Sequence, residues 1–460
     1  MGSKQGYVTL SAPLKVFFDV TSRCNLDCSF CYKPVSSSAP SAATLERILR
    51  AIADAGVVEV ILAGGEPFTL EEPFRIFHLA KEMGLRTGFI SNGTLITASV
   101  AQQCATCVDG CAISFHGPNA SVYDSLTRVD GAFEDAVRGL RNLNRNGIVP
   151  GILYTPTRDN VGELLNTVAF LMRAGIRVSS IQVNRLIPAG RAREYWSKIN
   201  CGIQEYEHLL QQMHESALRW PEVRMETGDA FPLCLFSEEY HPFVVRCNYG
   251  ITIGGIDERG WLKRCPCRIA RLGNILEIPL KNLWTESPFL RSFRNLELLP
   301  EVCRSCGALA ICGGGCLCSG DDDMGCPDAL LDGRILRQIT LPSHEMAAER
   351  ARPDSQTVPH VEIDYIVRRE RGLWLSVPLG EQDIFHDTMV PRDAEFPLLW
   401  LDDLEKDVLS EIDGHRSIAD IARKVGLSRG LGEFKATNMT CDAVGDFIAF
   451  NYVAASRKDT

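Results

Sequence analysis

Three cysteines near the start of the chain have the spacing of a metal-binding loop. Cys24-x3-Cys28-x2-Cys31 follows a β-branched run at 14–20 that predicts a strand, and Phe30 precedes the last thiol. Three thiolates on one loop suit a four-iron cluster with one open iron, which can bind a substrate or cofactor directly. A zinc site or a chance match to a short pattern is the alternative.

A second group of cysteines is larger. Ten of the 18 cysteines lie between Cys234 and Cys326. Residues 1–14 lack the apolar stretch of a secretory signal, so we expect a cytoplasmic, reducing location in which thiolates bind metal. A structural zinc ribbon is the alternative. The spacing runs Cys247-x12-Gly260-x4-Cys265, then Cys303-x2-Cys306-x5-Cys312-x3-Cys316, then Cys326.

The remaining cysteines predict packing. Cys104-x2-Cys107-x3-Cys111 lies where a predicted helix meets a predicted strand, and Cys201 and Cys441 stand alone. Free cysteine behaves as a small apolar side chain, so we expect these residues to be buried without a ligand role.

The composition of this 460-residue chain argues against a nucleic-acid partner and against a membrane span. The net charge of -10, from 48 Lys and Arg against 58 Asp and Glu, argues against a nucleic-acid partner, because phosphate binding uses clustered basic side chains. No run of about 18 apolar residues predicts a membrane span.

Predicted strands and helices alternate along the part of the chain that must position these residues. Repeated strand and helix units predict parallel strands with crossovers, so the expected fold class is α/β, a partial (β/α)6 TIM-like barrel. Functional groups then lie at the carboxyl ends of the strands. Residues 193–219 predict one long amphipathic helix. The predicted strands are 14–20, 57–63, 86–91, 110–115, 149–155 and 180–186.

Motifs stand at the ends of successive predicted strands. Together with the cysteine loop, their order resembles that of the radical S-adenosylmethionine (SAM) enzymes. One departure is His116, where many relatives have Asp, and we expect it to be structural. The motifs are Gly64-Gly65-Glu66-Pro67, then Ser91-Asn92, Ser114, Arg128 and Pro188-Ala-Gly190-Arg191.

This resemblance implies roles for the strand-end residues. Cys24, Cys28 and Cys31 would hold a 4Fe-4S cluster, with Phe30 in the aromatic position of the motif. The turn from Gly64 to Pro67 would receive the SAM amino group, the glycines permitting close approach and Glu66 offering charge. Ser91, Asn92 and Ser114 would line the SAM site, and Arg128 would pair with the SAM carboxylate.

The second cysteine group resembles the SPASM extension of these enzymes, which carries two auxiliary 4Fe-4S clusters. The fourth ligand of one cluster is open: Cys234 is the first candidate, Cys267 the second, and an open iron the third. Cys318 falls outside both sets. Carried over by position, one cluster would use Cys303, Cys306, Cys312 and Cys326, and the other Cys247, Cys265 and Cys316.

The last part of the chain resembles the PqqD-like elements that bind leader segments of ribosomally made peptides as an added strand. The stretch WLDDLEKDVLSEIDGHRSIADIARKVG carries this resemblance, and a generic winged-helix domain is the alternative. The expected domains are a barrel at 1–222, a SPASM region at 223–335, a linker at 336–360 and a small winged-helix-like α+β recognition domain at 361–460.

The resemblance implies a peptide maturase with three 4Fe-4S clusters and SAM. Cleavage of SAM to a 5'-deoxyadenosyl radical would start an oxidative change, such as a crosslink, in a precursor peptide, with flavodoxin or ferredoxin as electron donor. A radical SAM dehydrogenase or epimerase acting on a small metabolite or folded protein is the alternative. A peptide-binding chaperone with a structural iron–sulfur module would cleave no SAM.

Overall fold

One sheet of ten strands organises the chain. The computed structural model describes residues 10–33, 40–268, 270–306, 308–319 and 328–331, with the short segments 374–376, 423–424, 427 and 454–456. The strands are β1 (Lys15–Thr21), β2 (Glu59–Gly64), β3 (Arg86–Ser91), β4 (Gly110–Ser114), β5 (Gly151–Tyr154), β6 (Ser180–Val183), β7 (Arg224–Thr227), β8 (Ile253–Ile256), β9 (Trp261–Lys263) and β10 (Gly273–Asn274).

The sheet is parallel through most of its width. Strands β1 to β7 are neighbours in chain order and run parallel. On the other side of β1, β8 is also parallel, and β9 and β10 continue antiparallel. The six predicted strands coincide with β1 to β6, so the α/β class with a parallel sheet and a partial barrel is confirmed.

Helices connect the parallel strands. In the fifth helix along the chain, four apolar side chains recur at helical spacing and are buried: Phe133, Val137, Leu140 and Leu143. Each such side chain contributes about 1.5–3 kcal/mol to the stability of the fold when it is fully buried. The helices are α1 (Ala42–Asp54), α2 (Pro73–Glu82), α3 (Ala98–Cys107), α4 (Ala120–Thr127), α5 (Ala132–Arg145), α6 (Leu164–Arg173), α7 (Arg191–Ile199), α8 (Ile203–Arg219), α9 (Leu280–Glu286), α10 (Pro288–Arg294), α11 (Glu301–Arg304) and α12 (Leu309–Cys312).

The prediction of one helix over 193–219 is wrong. Helix α7 ends at Ile199 and α8 begins at Ile203. The Glu205 carboxylate accepts the Gly202 N–H at 3.0 Å, which caps α8 as a capping box does. The cap starts a new helix at Ile203 instead of extending α7. The apolar residues of both helices recur with the same period, which is why the sequence predicts a single helix.

A buried ion pair joins the end of β6 to the cysteine-rich region. Arg185 and Asp328 are both buried, and Nη2 of the arginine donates to Oδ1 of the aspartate at 3.0 Å. Oδ2 of Asp328 also accepts the Cys316 N–H at 2.7 Å. The pair therefore fixes Cys316 relative to the barrel.

The predicted linker and recognition domain at 336–460 lie outside the described residues, apart from short segments. Two of these segments, Trp374–Ser376 and Ala454–Ser456, pair as antiparallel strands. Among the described helices, none has the length and apolar character needed to cross a membrane.

Candidate functional site

The first cysteine loop brings its three thiols into one group. The Leu26 N–H donates to Cys24 Sγ at 3.5 Å, and the Cys31 N–H donates to the Cys28 carbonyl at 3.3 Å. These local bonds curl the loop, so that the Cys28 thiol interacts electrostatically with both Cys24 and Cys31. The loop therefore has the arrangement that its spacing predicts.

The chemistry of these thiols fits an iron–sulfur cluster. Burial raises the pKa of Cys24 to about 11 and moves the pKa of Cys28 well above its usual range. An ionised thiol in such a place requires an adjacent cation, which iron provides. Within the described ranges, no three His, Cys, Asp or Glu side chains are arranged to hold a single metal ion. A four-iron cluster binds each thiolate through a different iron, and cysteine thiolates are the ligands that it uses.

Asp27, inside the cysteine loop, binds two arginines. Arg191 lies 2.7 Å from Asp27 Oδ1 through Nη2, and its Nη1 donates to the Cys28 carbonyl at 2.9 Å. Arg128 lies 3.3 Å from Asp27 Oδ2 and donates to the Tyr195 hydroxyl at 2.5 Å. Because 41% of the Arg128 side chain is exposed, its guanidinium is accessible to an anionic ligand, and its pairing with SAM stays a prediction.

Gly64 and Gly65 let the end of β2 touch the backbone of the cysteine loop. The Gly65 N–H donates to the Thr21 carbonyl at 2.7 Å. A Cβ on Gly65 would lie 2.0 Å from the Arg23 carbonyl oxygen, and one on Gly64, where φ is +127°, would lie 2.3 Å from that of Thr21. Only glycine fits these positions. The two glycines that were predicted to let SAM approach are therefore already required by the contact of β2 with the backbone of Thr21 and Arg23.

Glu66 is fully buried beneath the end of β3. Its Oε1 accepts from Ser91 Oγ at 2.9 Å and from the Phe68 N–H at 3.2 Å, while Oε2 accepts the Asn92 N–H at 2.8 Å. Burial raises the pKa of this carboxyl to about 7. The predicted contact with the SAM amino group would require the carboxylate to leave these partners. In the structure it fixes the Ser91-Asn92 turn, and Pro67 begins the buried turn that follows.

Asn92 brings the end of β3 to the cysteine loop. Its Nδ2 donates to Asn25 Oδ1 at 2.9 Å and to Cys24 Sγ at 3.9 Å. Asn25 Nδ2 in turn donates to Thr94 Oγ1 at 2.8 Å. The Asn92 amide, which was predicted to line the SAM site, therefore stands beside the predicted cluster ligand, and its contact with SAM stays a prediction.

Phe30 and Ser114 belong to the packing around His116. The Phe30 ring meets the His116 ring edge-on, with centroids 4.7 Å apart, and the Ser114 carbonyl accepts from the Tyr123 hydroxyl at 3.1 Å. His116 Nδ1 accepts the Thr155 N–H at 3.1 Å, and burial lowers the pKa of His116 to about 3. This histidine is therefore a neutral packing residue.

The cysteine-rich region forms two separate groups of thiols. The first, which we name the inner thiol group, includes Cys265, Cys316 and Cys318 in one buried cluster with Cys267 packed against it. The Cys247 thiol interacts electrostatically with Cys318. The inner thiol group is Cys247, Cys265, Cys267, Cys316 and Cys318.

The second, which we name the outer thiol group, lines a small cavity of about 30 Å³. Burial raises the pKa of Cys303 to about 11 and that of Cys312 to about 12, so these thiols also require a cation to ionise. Cys326, predicted to complete this set, lies outside the described residues. The outer thiol group is Cys234, Cys303, Cys306 and Cys312.

This division separates Cys234 from the set for which it was the first candidate. The Cys234 thiol interacts electrostatically with the thiols of Cys306 and Cys303. Cys267, the second candidate, shares a hydrogen bond with Cys265. The structure therefore places Cys267 in the inner thiol group and Cys234 in the outer one.

Tyr32 connects the first cysteine loop to the inner thiol group. Burial, with the charges of Cys267, Asp19 and Cys31, raises the pKa of Tyr32 well above its usual value. Lys33 and Lys263 both pair with the buried Asp19 at the end of β1, Lys263 at 3.6 Å. The inner thiol group thus adjoins the first cysteine loop.

The remaining cysteines lie where packing was predicted. Cys104 and Cys107 are in the hydrophobic core at the end of α3, with Cys111 packed against it in β4. Cys201 is buried between α7 and α8, and Cys441 lies outside the described residues.

Sequence reasoning missed three residues that hold the site together. Asn25 and Asp27 lie inside the Cys24-x3-Cys28 spacing, and their position between ligands was the available signal. Asp328 carries no local pattern, because its partner Arg185 lies 143 residues away.

Comparison with known proteins agrees with this geometry. Residues 18–171 match the profile of the Radical SAM superfamily. The AdoMet-dependent heme synthase of Nitratidesulfovibrio vulgaris is 28% identical over 65% of this chain and 86% of that protein. Mycofactocin maturase MftC of Mycolicibacterium smegmatis is 28% identical over 67% of this chain and 79% of its own length.

A solved structure supports the same fold. Streptococcus suis SuiB bound to its precursor peptide SuiA matches with a TM-score of 0.57 and 19% identity, covering 70% of this chain and 77% of SuiB. Members of the superfamily use a 4Fe-4S cluster and SAM. The three-cysteine loop and the strand-end turns at 64–67 and 91–92 all fall within residues 18–171, the segment that matches the Radical SAM superfamily.

Proposed function

We propose that this chain is a radical SAM enzyme that oxidatively modifies a ribosomally made precursor peptide. The observation that carries the proposal is the position of the inner thiol group beside the first cysteine loop, with Tyr32 between them. Clusters bound at these two places would supply one-electron cleavage of SAM to a 5'-deoxyadenosyl radical and an acceptor for the electron that leaves the substrate.

The strand-end residues would position SAM. Glu66 holds the Ser91-Asn92 turn so that the Asn92 amide lies beside Cys24, where it would be adjacent to SAM bound at the cluster. Arg128 has five donors in a fork that matches a carboxylate, and Asp27 competes for it from the cysteine loop. The Phe30 ring packs edge-on against the buried His116 beside the cysteine loop.

The cysteine-rich region would hold two further 4Fe-4S clusters, and so give three in all. One would be bound by the inner thiol group. The other would be bound by Cys303, Cys306 and Cys312 of the outer thiol group together with Cys326. The cavity lined by the outer group and the raised pKa values of its thiols support this assignment.

Three similarities support a peptide as the substrate. MftC is named a maturase, SuiB is described with a bound precursor peptide, and the sequence at 400–426 resembles a leader-binding element. Residues 361–456 would bind the leader, while the reacting segment would enter the barrel. A small iron–sulfur or flavin protein, such as ferredoxin or flavodoxin, would supply the electron.

The test follows the mass of a peptide. Enzyme reconstituted without oxygen is incubated with SAM, a reductant and short peptides encoded beside its gene. We expect a loss of about two hydrogens from one peptide, as for a crosslink or desaturation, and no change with a chain that ends at residue 360. That shortened chain must still release 5'-deoxyadenosine, which shows that its barrel is folded.

Variants at the first cysteine loop test the SAM site itself. Replacing Cys24, Cys28 and Cys31 with Ala is expected to abolish formation of 5'-deoxyadenosine, whereas Cys104→Ala, in the core, serves as the matched cysteine control. Cleavage of SAM by the triple variant at the wild-type rate would contradict the assignment.

A second candidate is oxidation of a small metabolite, with the last domain dispensable. The similarity to AdoMet-dependent heme synthases over 86% of their length favours it. Abundant 5'-deoxyadenosine beside unchanged peptides would support this candidate over the first.

A further inference from the structure

We infer that Cys318, which lies outside the seven-cysteine spacing, is the fourth thiolate ligand of the auxiliary cluster held by Cys247, Cys265 and Cys316. This inference rests on the proposed function only in taking an iron–sulfur cluster as the group bound there. It requires neither SAM cleavage nor a peptide substrate to be correct.

The position of Cys318 carries the inference. Its side chain packs in one buried cluster with Cys265 and Cys316, and the Cys265 and Cys318 thiols each shift the pKa of the other. The Cys247 thiol also interacts with it directly. Cys318 therefore adjoins all three assigned ligands.

A buried cation marks the same place. Arg264 is 5% exposed, and its Nη2 donates to Cys318 Sγ. The Cζ atom of its guanidinium lies 4.5 Å from the centroid of the Phe293 ring. Nη1 of Arg264 is buried and meets no acceptor among the described residues. A buried guanidinium requires an anion, and a cluster with four thiolates carries net negative charge. Arg268 approaches from the other side and donates to the Cys318 carbonyl.

The two cysteine candidates from the sequence fit less well. Cys234 lines the cavity of the outer thiol group with Cys303 and Cys312. Cys267 is only partly buried where it packs against the cluster of Cys265, Cys316 and Cys318, and it also interacts with the phenols of Tyr32 and Tyr249. Cys318 is buried within that cluster and interacts with Cys247, Cys265 and Cys316.

Asp229 is the competing oxygen ligand. Its carboxylate is close enough to raise the pKa of Cys247 and Cys316. However, its Oδ2 already accepts the Arg185 N–H at 2.8 Å, which fixes the carboxylate toward the end of β6. Thiolates also bind iron in clusters in preference to carboxylates.

The test measures iron and electron paramagnetic resonance (EPR) spectra rather than activity. The full-length chain with Cys24, Cys28 and Cys31 replaced by Ala removes the first cluster, so about eight irons in two 4Fe-4S clusters remain. In this background, Cys318→Ser is expected to lower the iron content toward about four per chain, or to retain iron with a changed EPR spectrum of the reduced cluster, since serine oxygen is a different ligand.

Matched variants in the same background decide between the candidates. Cys267→Ser and Asp229→Asn are expected to keep both the iron content and the spectrum. Unchanged iron and an unchanged spectrum for Cys318→Ser would overturn the inference. Loss of iron in Cys267→Ser or Asp229→Asn, with Cys318→Ser unaffected, would also overturn it.

A conservative variant separates ligation from folding. Arg264→Lys keeps the charge and leaves every thiol in place, so it is expected to retain iron but to change the spectrum or midpoint potential of this cluster alone. An unaltered midpoint would remove the support that Arg264 gives. If no peptide is modified by the wild-type enzyme, the proposed function fails while the iron measurement still decides on Cys318.

Discussion

The ion pair between Arg185 and Asp328 gives a quantitative prediction. Asp328→Asn leaves the shape of the side chain but removes its charge, so the Arg185 guanidinium stays buried without a counter-ion. Asp328 has a fully buried side chain and Arg185 is 3% exposed. Removing one partner of such a pair costs about 3–5 kcal/mol, which is a large part of a typical folding free energy of roughly 5–15 kcal/mol.

Other contacts of Asp328 place the variant at the upper end of this range. The carboxylate accepts from the Cys316 N–H at 2.7 Å, from the Leu330 N–H at 2.9 Å and from Ser319 Oγ at 3.2 Å. An asparagine amide has one oxygen, so one or two of these donors lose their acceptor. Each buried donor left without a partner costs about 1–3 kcal/mol.

The assay is thermal unfolding of the anaerobically purified chain. With about 2–4 °C per kcal/mol for a cooperative unit of roughly 150–250 residues, a cost of about 5 kcal/mol in Asp328→Asn is expected to lower the melting temperature by about 10–20 °C. Asp135→Asn is the control, because its partner Arg138 is 57% exposed and such pairs contribute about 0–1 kcal/mol. Equal melting temperatures for the two variants would refute the reasoning.

Two further predictions concern the end of β2. Gly65→Ala places a methyl group against the Arg23 carbonyl, so it is expected to displace the cysteine loop and to release about four irons per chain. Gly162→Ala is the control and should keep its iron, because the added Cβ meets only His208, at 4.0 Å. Equal iron contents in the two variants would contradict this account. Because burial raises the Glu66 pKa from 4.5 to about 7, its protonated form stabilises the fold at low pH, and this contribution, on the order of 3 kcal/mol, is lost as pH rises through about 7. Glu66→Gln should therefore gain melting temperature relative to the wild type between pH 5 and 8, and parallel pH profiles would exclude this role.

The barrel was predictable because its signals are local. Six β-branched runs became β1 to β6, and the turn from Gly64 to Pro67 stands at a strand end as expected. The first cysteine loop was equally predictable, since three ligands within eight residues can form one group only by a local turn. The break at Gly202 was not, because a capping interaction overrode a continuous helical period.

The division of the second cysteine group was not predictable from spacing. Cys234 joins Cys303 across a long stretch of chain, and the intervening Cys247 and Cys265 join a different group. Spacing identifies which residues can bind metal, but the grouping depends on how strands and loops fold back. Strands β7 to β10 are short and partly glycine-rich, so their place in the sheet also depended on tertiary contacts.

The glycines of β8 explain why the inner thiol group reaches the first cysteine loop. Gly255 pairs with Phe17 in the parallel register of β8 and β1. A Cβ on Gly255 would lie 3.1 Å from the Pro266 nitrogen, so the turn from Cys265 to Cys267 lies directly on the strand. Contacts on either side of this turn join it to the first loop: Lys263, at the end of β9, pairs with Asp19 of β1, and Tyr32 packs against the buried cluster that contains Cys265. In the proposed function, an electron leaving a substrate beside the first cysteine loop would pass to a cluster bound by the inner thiol group.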